Sequence, residues 1–293
     1  MSPYDAPGTY SLLQYAEIVR AIWYPIGGFW KVVDGLVNVG KRNGVNFRLS
    51  TTVSNVNLSP DGKRATGVTL ASGESLSADV VVVNADLVYS FNNLFPPSAH
   101  AKKLTKRAAS CSSISFYWAL DRKFPQLETH NIFLAGDYKK SFDSIFVDQA
   151  LPEEPSFYVN VPSRIDPTAA PEGKDAMIVL VPVGHLMDNA GEGINPNEVD
   201  WDQVVERARQ WIFTTLAQRV GIEDLRSNIV SENINTPSVC EYPLSRSFLA
   251  QRLNLLQGRR NSTLTRVPSS AYHIASCGFL SHVHVVSILI RVQ

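Results

Sequence analysis

Four consecutive valines, Val80 to Val83, constrain the fold of this chain more than any other feature of its sequence. A run of β-branched residues favours a strand, and a strand without a polar side has to be covered on both faces. Strands of that kind belong to sheets flanked by helices. The run ADVVVVNAD therefore predicts one buried strand of an α/β domain.

Before the valines, the spacing of apolar residues changes from the period of a helix to that of a strand. Phe29 to Asn43 carries apolar residues at helical spacing, which predicts an amphipathic helix ended by a left-handed Gly44. The segments VNFRL, VSNVNL and ATGVTL alternate apolar and polar residues between turn sequences, which predicts a meander of half-buried strands. Helix, meander and buried strand together indicate part of an α/β nucleotide-binding domain, not a whole one.

Strand candidates and helices also occupy the rest of the chain. Beyond Pro96-Pro97 the segments SSISFYWAL, HNIFLA, DSIFVD, PSFYVNVP and DAMIVLVPVG predict a broad mixed sheet that faces a helical layer. Trp201 to Val220 predicts an amphipathic helix ended by Gly221, and residues 10–23 predict another helix, stopped by Pro25 and Gly27-Gly28.

Charge and cysteine content exclude several kinds of function. Lysine plus arginine and aspartate plus glutamate both number 27, so no net charge attracts nucleic acid, and we predict no nucleic-acid partner. Cys111, Cys240 and Cys277 lie far apart without a CxxC pattern, which predicts no disulfide and a reducing compartment or a membrane face open to one.

Motifs for other chemistries are incomplete. Residues 35–42 nearly spell a phosphate-binding P-loop, but Arg42 stands where a serine or threonine belongs and the segment reads as a helix. No GxGxxG occurs. No serine or cysteine stands in a nucleophile motif, so we assign no catalytic residue. The tail carries metal-ligating residue types without a rigid scaffold, so we predict no metal site at His273, Cys277, His282 and His284.

A series of segments is similar to the fungal and bacterial phytoene desaturases, FAD-dependent flavoproteins of the amine-oxidase-like superfamily. IWYPIGGFWKVVDGL, ADVVVVNADLVY, SCSSISFYW, LETHNIFLA and SRIDPTAAP follow one another in the order and spacing of that family, and the resemblance covers residues 1 to about 237. The resemblance implies dehydrogenation of phytoene to conjugated carotenoids such as lycopene. Phytoene and other carotenoid intermediates are then the substrates, and FAD is the cofactor.

The resemblance also implies an α/β fold of mixed α+β character with two domains. A partial Rossmann-type FAD-domain segment is joined to a mixed-sheet substrate domain with helices. We expect residues 1–32 to be a helical segment of the substrate domain and 33–96 the middle segment of the FAD-binding domain. Residues 97–237 then form the substrate-binding domain, and 238–293 a divergent, poorly ordered tail.

The site residues follow from the same resemblance. The backbone of Val53 stands where related flavoproteins contact the adenine end of FAD, with Asn84 and Ala85 nearby; the alternative is that Val53 only fills the sheet. Gly27 and Gly28 are expected near the substrate or flavin, because a Gly-Gly pair lets the backbone approach a ligand and point free N–H groups at it. An ordinary helix start explains that pair equally well.

The sequence departs from the family at both ends, since the Gly-rich pyrophosphate loop and the closing flavin motif are missing. We therefore expect an incomplete form that does not retain FAD when purified. The alternative function is a non-catalytic fragment, or a module that binds membranes or intact desaturase subunits, and a homo-oligomer stays open. We expect an intracellular, membrane-associated protein whose helix from Ser11 to Trp23, with the Trp23-Tyr24 pair, contacts lipid; burial of this helix in the core is the alternative.

Overall fold

A computed structural model describes residues 4–21, 23–107, 111–184 and 199–237 of the chain. The described residues divide into two compact units. One unit contains residues 4–39, 111–184 and 199–237, and the other contains residues 40–107. The domain boundaries expected after residues 32, 96 and 237 stay predictions, and the tail at 238–293 lies outside the described residues.

Two helices open the chain, as the apolar spacing predicts. A 3₁₀ turn at Gly8–Ser11 leads into helix α1 (Leu12–Arg20), and helix α2 spans Trp30–Arg42. Gly44 follows α2 with φ +78°, the left-handed conformation expected of a helix terminator. Where the structure describes exposure in residues 4–44, Gly28 alone is buried.

The second unit is built on the predicted meander. Strands β1 (Val53–Leu58), β2 (Ala65–Leu70) and β3 (Ser75–Ser77) pair antiparallel in that order. Helices α3 (Leu87–Asn93) and α4 (Ala99–Leu104) follow. The Val56 N–H donates to the Leu94 carbonyl over 2.8 Å, which ties β1 to the end of α3. A small core forms from Val56, Val68, Leu70 and Leu94.

The four valines do not form the strand that their sequence predicts. Only Val80 makes a bridge, and residues 81–84 have no regular structure. Val81 and Val83 pack against the small core, whereas Val80 and Val82 are 50% and 52% exposed. No element among the described residues covers that second side, so burial on both faces is wrong for this structure. Residues 45–49, also predicted as a strand, pair with no described strand.

A larger sheet organises the first unit. Its strand order is β5-β6-β7-β4-β8, with β8 at one edge. Four of these strands agree with the segments predicted from the sequence, and β8 was not predicted. The strands are β4 (Ser112–Leu120), β5 (His130–Phe133), β6 (Phe157–Asn160), β7 (Asp175–Val183) and β8 (Ile229–Asn235).

Every described strand pair in the larger sheet is antiparallel, so the predicted mixed sheet is corrected to an antiparallel one. Strands β4 and β7 pair from Ser112 opposite Val183 to Leu120 opposite Asp175. Both strands alternate buried and half-buried residues along most of their length. That period of two buries one face only, which is the pattern of antiparallel sheets.

Helix α6 (Trp201–Val220) packs on the buried face of the sheet and matches its predicted bounds. The Asp200 carboxylate caps it by accepting from the Gln203 N–H over 3.0 Å, and Gly221 ends it with φ +71°. Its buried residues recur at helical spacing and join the main core: Val205, Ala208, Ile212 and Leu216. The α/β fold class is confirmed.

One predicted strand is a helix in the structure. The segment DSIFVD, residues 143–148, falls largely within α5 (Tyr138–Phe146). The Asp137 side chain accepts from the Lys140 N–H over 3.0 Å and caps the helix. Ser141 and Ile145, four residues apart, are buried on one side. These two signals outweigh the β propensity of the phenylalanine and isoleucine residues.

Candidate functional site

The Gly27-Gly28 turn, between α1 and α2, is the first candidate site. Gly27 has φ +87° and Gly28 φ +81°, and both conformations favour glycine. The Gly28 N–H donates to the Pro25 carbonyl over 2.8 Å, and the Gly27 N–H donates to Asp166 Oδ2 over 2.6 Å. Both amides are therefore occupied, so the predicted free N–H groups are wrong for this structure. Whether the turn lies near a flavin or substrate stays a prediction.

Asp166 holds the turn from a buried position. Its residue is 1% exposed, and its other oxygen, Oδ1, accepts from the Thr168 N–H over 2.9 Å and from Thr168 Oγ1 over 2.6 Å. Burial acts to raise the pKa of this carboxyl, but the hydrogen bonds from Thr168 and Gly27 outweigh it and hold the pKa below its ordinary value. Asp166 is therefore a charged acceptor with two separate sets of donors.

The two aromatic residues before the turn differ in their surroundings. Trp23 is 85% exposed, and its indole N–H donates to the Arg20 carbonyl over 3.1 Å. Tyr24 is half-buried and lies edge-on to Phe29, with ring centroids 6.0 Å apart. Burial and the negative charge of Asp166 raise the pKa of the Tyr24 phenol. Trp23 alone of the pair faces solvent fully.

A second buried carboxylate lies close in sequence to the first. Asp175 accepts from Arg164 Nη1 over 2.7 Å and Nη2 over 2.9 Å, from Ser163 Oγ over 2.7 Å and from the Phe124 N–H over 2.9 Å. Arg164 also donates from Nε to the Leu127 carbonyl over 3.0 Å. We call these residues the Asp175 cluster. Burial acts to raise the pKa of Asp175, but the Arg164 guanidinium and the other donors outweigh it and lower the pKa.

The segment SRIDPTAAP thus receives a structural account. Ser163 and Arg164 belong to the Asp175 cluster, and Asp166 holds the Gly27-Gly28 turn. Sequence reasoning named this segment without giving its residues a role. The order Asp166-Pro167-Thr168 does carry a local signal, since an aspartate before Pro at the first position of a turn favours capping. The bonds that join these residues to Gly27 and Asp175 have no such local signal in the sequence.

The predicted adenine contacts lie in the second unit. Val53 begins β1 opposite Leu70, and its half-buried side chain packs against the small core. Asn84 is exposed and Ala85 half-buried, directly before the Asp86 cap of α3. Val83, next to Asn84, packs on the same small core as Val53. The structure shows that Val53 does fill the sheet, and its role toward FAD stays a prediction.

FAD needs a turn that binds its pyrophosphate, and the described residues do not supply one. Pyrophosphate is normally held by a Gly-rich turn at the start of a helix, where free N–H groups face it. The Gly27-Gly28 turn comes closest in sequence, yet both of its N–H groups are bonded within the protein. Asn84 is exposed, and its contact with adenine stays a prediction. The described residues therefore do not fit the whole cofactor.

Other candidate chemistries find little support in the described residues. The P-loop look-alike at residues 35–42 lies within α2, as its period predicts. No group of three or more metal-ligating side chains occurs in the part of the chain that the structure describes. The candidate set His273, Cys277, His282 and His284 lies outside that part. His130 Nδ1, on the edge strand β5, lies 2.6 Å from the hydroxyl of the half-buried Tyr158 on β6.

Comparison with known proteins places these features in a family. The family of flavin-containing amine oxidoreductases matches residues 2–231. A phytoene desaturase of Neurospora crassa is 55% identical over 251 residues, 82% of this chain and 41% of the relative. One of Fusarium fujikuroi is 52% identical over 81% of this chain and 43% of the relative. A zeta-carotene-forming phytoene desaturase of Myxococcus xanthus is 38% identical over 81% and 44%. The chain thus spans about two fifths of the length of these relatives.

Proposed function

This chain belongs to the family of flavin-containing amine oxidoreductases, and from that premise we propose that it carries part of a FAD-dependent phytoene desaturase of carotenoid biosynthesis. The observation that carries the proposal is the 52–55% identity to fungal phytoene desaturases over four fifths of the chain. The substrate is then phytoene, and the products are its conjugated derivatives. The number of double bonds introduced is left open.

The chemistry of the proposed reaction explains why no catalytic triad is needed. Desaturation removes two hydrogens from neighbouring carbons of the hydrocarbon, and the flavin supplies the acceptor when it is bound. The protein's tasks are to bind the substrate, orient it and exclude water. An antiparallel sheet whose strands β4 and β7 bury one face against the helix α6 offers a rigid support for those tasks.

The proposal predicts that this chain can replace its counterpart in a working relative. In a hybrid, residues 2–231 take the place of the matching segment of the Neurospora crassa desaturase. Cells that accumulate phytoene should then form coloured carotenoids, because identity of 55% keeps the fold and the site. Chromatography with visible absorption measures the products. The control is the relative with the same segment deleted, and a hybrid that binds FAD yet leaves phytoene unchanged contradicts the proposal.

A membrane surface is the second proposed partner. Phytoene is a hydrocarbon that resides in bilayers, so a desaturase needs apolar surface where it meets lipid. Helix α1 and the residues after it carry such surface, since Ile18 is 82% and Trp23 85% exposed. None of the helices that the structure describes reaches the length and apolarity needed to cross a bilayer. The proposed attachment is by α1 and the residues after it lying in the interface, because their apolar side chains are exposed. Association with further desaturase subunits stays a prediction.

Attachment of this kind predicts flotation with neutral liposomes. The net formal charge is zero, so binding should depend on apolar area and persist at high salt. Trp23→Ser should reduce the floating fraction several-fold, because an indole contributes strongly at the lipid interface. Tyr24→Phe is the matched control, since Tyr24 is half-buried and should leave flotation unchanged. Equal flotation of wild type and Trp23→Ser removes Trp23 from the interface.

A further inference from the structure

Helices α1 and α2 both carry exposed apolar residues, and the turn that joins them contains a buried glycine, Gly28. In α1, Leu12 and Ile18 are exposed, and in the first turns of α2, Trp30 and Val33 are exposed. Gly28, in the turn between them, is buried. No residue of α1 or α2 whose exposure the structure describes is buried, so the buried part of this segment is the turn between the two helices.

A long-range hydrogen bond from Gly27 to Asp166 holds that turn. The Gly27 N–H and Asp166 Oδ2 lie 2.6 Å apart, although the two residues are 139 positions apart in the chain. Asp166 cannot swing away easily, because Thr168 binds its other oxygen and its own N–H donates to the Pro162 carbonyl over 2.9 Å. A charged acceptor makes a stronger bond to an N–H than a neutral one.

The two oxygens of Asp166 serve different purposes. Oδ1 caps the short 3₁₀ turn at Pro167–Ala169 by binding Thr168, as aspartates commonly do. Oδ2 contributes nothing to that cap and is directed at Gly27 instead. A residue needed only as a cap would leave this second oxygen to water or to a neighbour in sequence.

We propose that Asp166 is the positioning residue that fixes the Gly27-Gly28 turn and thereby sets the direction in which α1 and the start of α2 leave the sheet. The consequence for lipid contact rests on the proposed function, because it requires that these helices meet a bilayer. The latch itself, the bond from Gly27 to Asp166, does not depend on that function.

Amide hydrogen exchange of the whole chain tests the latch directly. In Asp166→Ala the Gly27 amide should exchange about 10- to 100-fold faster, as expected when a hydrogen bond to a charged group is lost. Amides of β4 and β7 should keep their wild-type rates. In Thr168→Val the Gly27 amide should stay protected, since only the bond from the Thr168 hydroxyl to Oδ1 is lost while the backbone N–H of residue 168 still donates to Oδ1. Wild-type exchange at Gly27 in a folded Asp166→Ala protein overturns the proposal.

Two further variants separate positioning from a loss of folding. Asp166→Asn keeps the shape of the side chain and one acceptor oxygen, so the Gly27 amide should exchange at an intermediate rate. This variant decides the matter if Asp166→Ala unfolds, which loss of protection in β4 would show. In that case, a wild-type exchange rate at Gly27 in Asp166→Asn overturns the proposal. Asp137→Ala, which removes the cap of α5, is the matched control and should leave Gly27 unchanged.

Flotation tests separately whether the bond from Gly27 to Asp166 affects lipid contact. Flotation of Asp166→Ala with neutral liposomes should fall relative to wild type, because the helices lose their fixed direction. If the wild type does not float, the proposed membrane contact fails while the exchange result still decides the latch. If the wild type and Asp166→Ala float equally and Gly27 exchanges faster, the latch is present but does not govern lipid contact.

Discussion

Asp175→Asn is expected to lower the free energy of unfolding of the first unit, which contains the larger sheet, by about 3–5 kcal/mol. This is the usual cost of removing one partner from a buried ion pair. The Asp175 side chain is 0% exposed and Arg164 only 20%, so the guanidinium is left without its counter-charge. The Phe124 N–H also loses a charged acceptor. Denaturant unfolding followed by the fluorescence of buried Trp118 measures the loss.

An exposed pair of the same chemistry provides the control. Arg122 and Asp224 form an ion pair with side chains 45% and 50% exposed. Asp224→Asn should therefore cost no more than about 1 kcal/mol. A similar loss in the two variants contradicts the view that burial makes the Asp175 cluster important.

The same cluster gives stability a defined pH dependence. The folded pKa of Asp175 lies below its ordinary value, so its contribution is complete above the ordinary carboxyl pKa. The contribution is lost as the pH falls through the lowered folded pKa. Asp175→Asn should flatten this acid limb of the stability profile, which is a check independent of the absolute loss.

Gly67→Ala is expected to destabilise the second unit by about 2–6 kcal/mol, because backbone strain and overpacking each contribute about 1–3 kcal/mol. Gly67 lies in the central strand β2 with φ +152°, and a Cβ there would stand 2.0 Å from the Leu76 carbonyl oxygen. The β2-β3 pairing has to open to admit the methyl group. Exchange rates of the strand amides, with those of β4 as internal reference, report the loss unit by unit.

Gly62→Ala separates the two contributions. Gly62 also has a left-handed backbone, φ +69°, but a Cβ there would meet nothing within 4 Å. Its cost should be about 1–2 kcal/mol, that of the conformation alone. If Gly67→Ala costs no more than Gly62→Ala, the contact with Leu76 does not restrict residue 67.

Elements with one strong, undisturbed period could be predicted from the sequence. Helix α6 repeats its apolar residues over five turns and ends at Gly221, and its bounds agree with the structure. Strands β4 and β7 alternate cleanly and were found as strands. Helix α5 was missed because Phe142, Ile145 and Phe146 favour strands while the Asp137 cap favours a helix, and local signals of opposite sign are decided by packing.

The candidate site was less accessible to sequence reasoning. Residues of SRIDPTAAP could be singled out through resemblance, but Gly27, the partner of Asp166, and Phe124, whose carbonyl accepts from Arg164, lie far away in the chain. Spacing along a chain encodes neighbours in a helix or strand, not a hydrogen bond across 139 positions. The Gly27-Gly28 turn was recognised correctly from its glycines, whereas the occupation of its amides depends on Asp166 and could not be read.

The strand order also bears on how the chain folds during synthesis. Strand β4 lies between β7 and β8, so both of its neighbours are made long after it, and β8 (Ile229–Asn235) is the last strand in the part of the chain that the structure describes. Contacts of such wide sequence separation cost much loop-closure entropy and slow the folding rate. The antiparallel pair of β5 and β6, which are separated in the chain by α5, is joined over a shorter stretch and can form earlier. During synthesis β4 therefore keeps one open edge until residues 229–235 are available to pair with it, and an open strand edge favours aggregation.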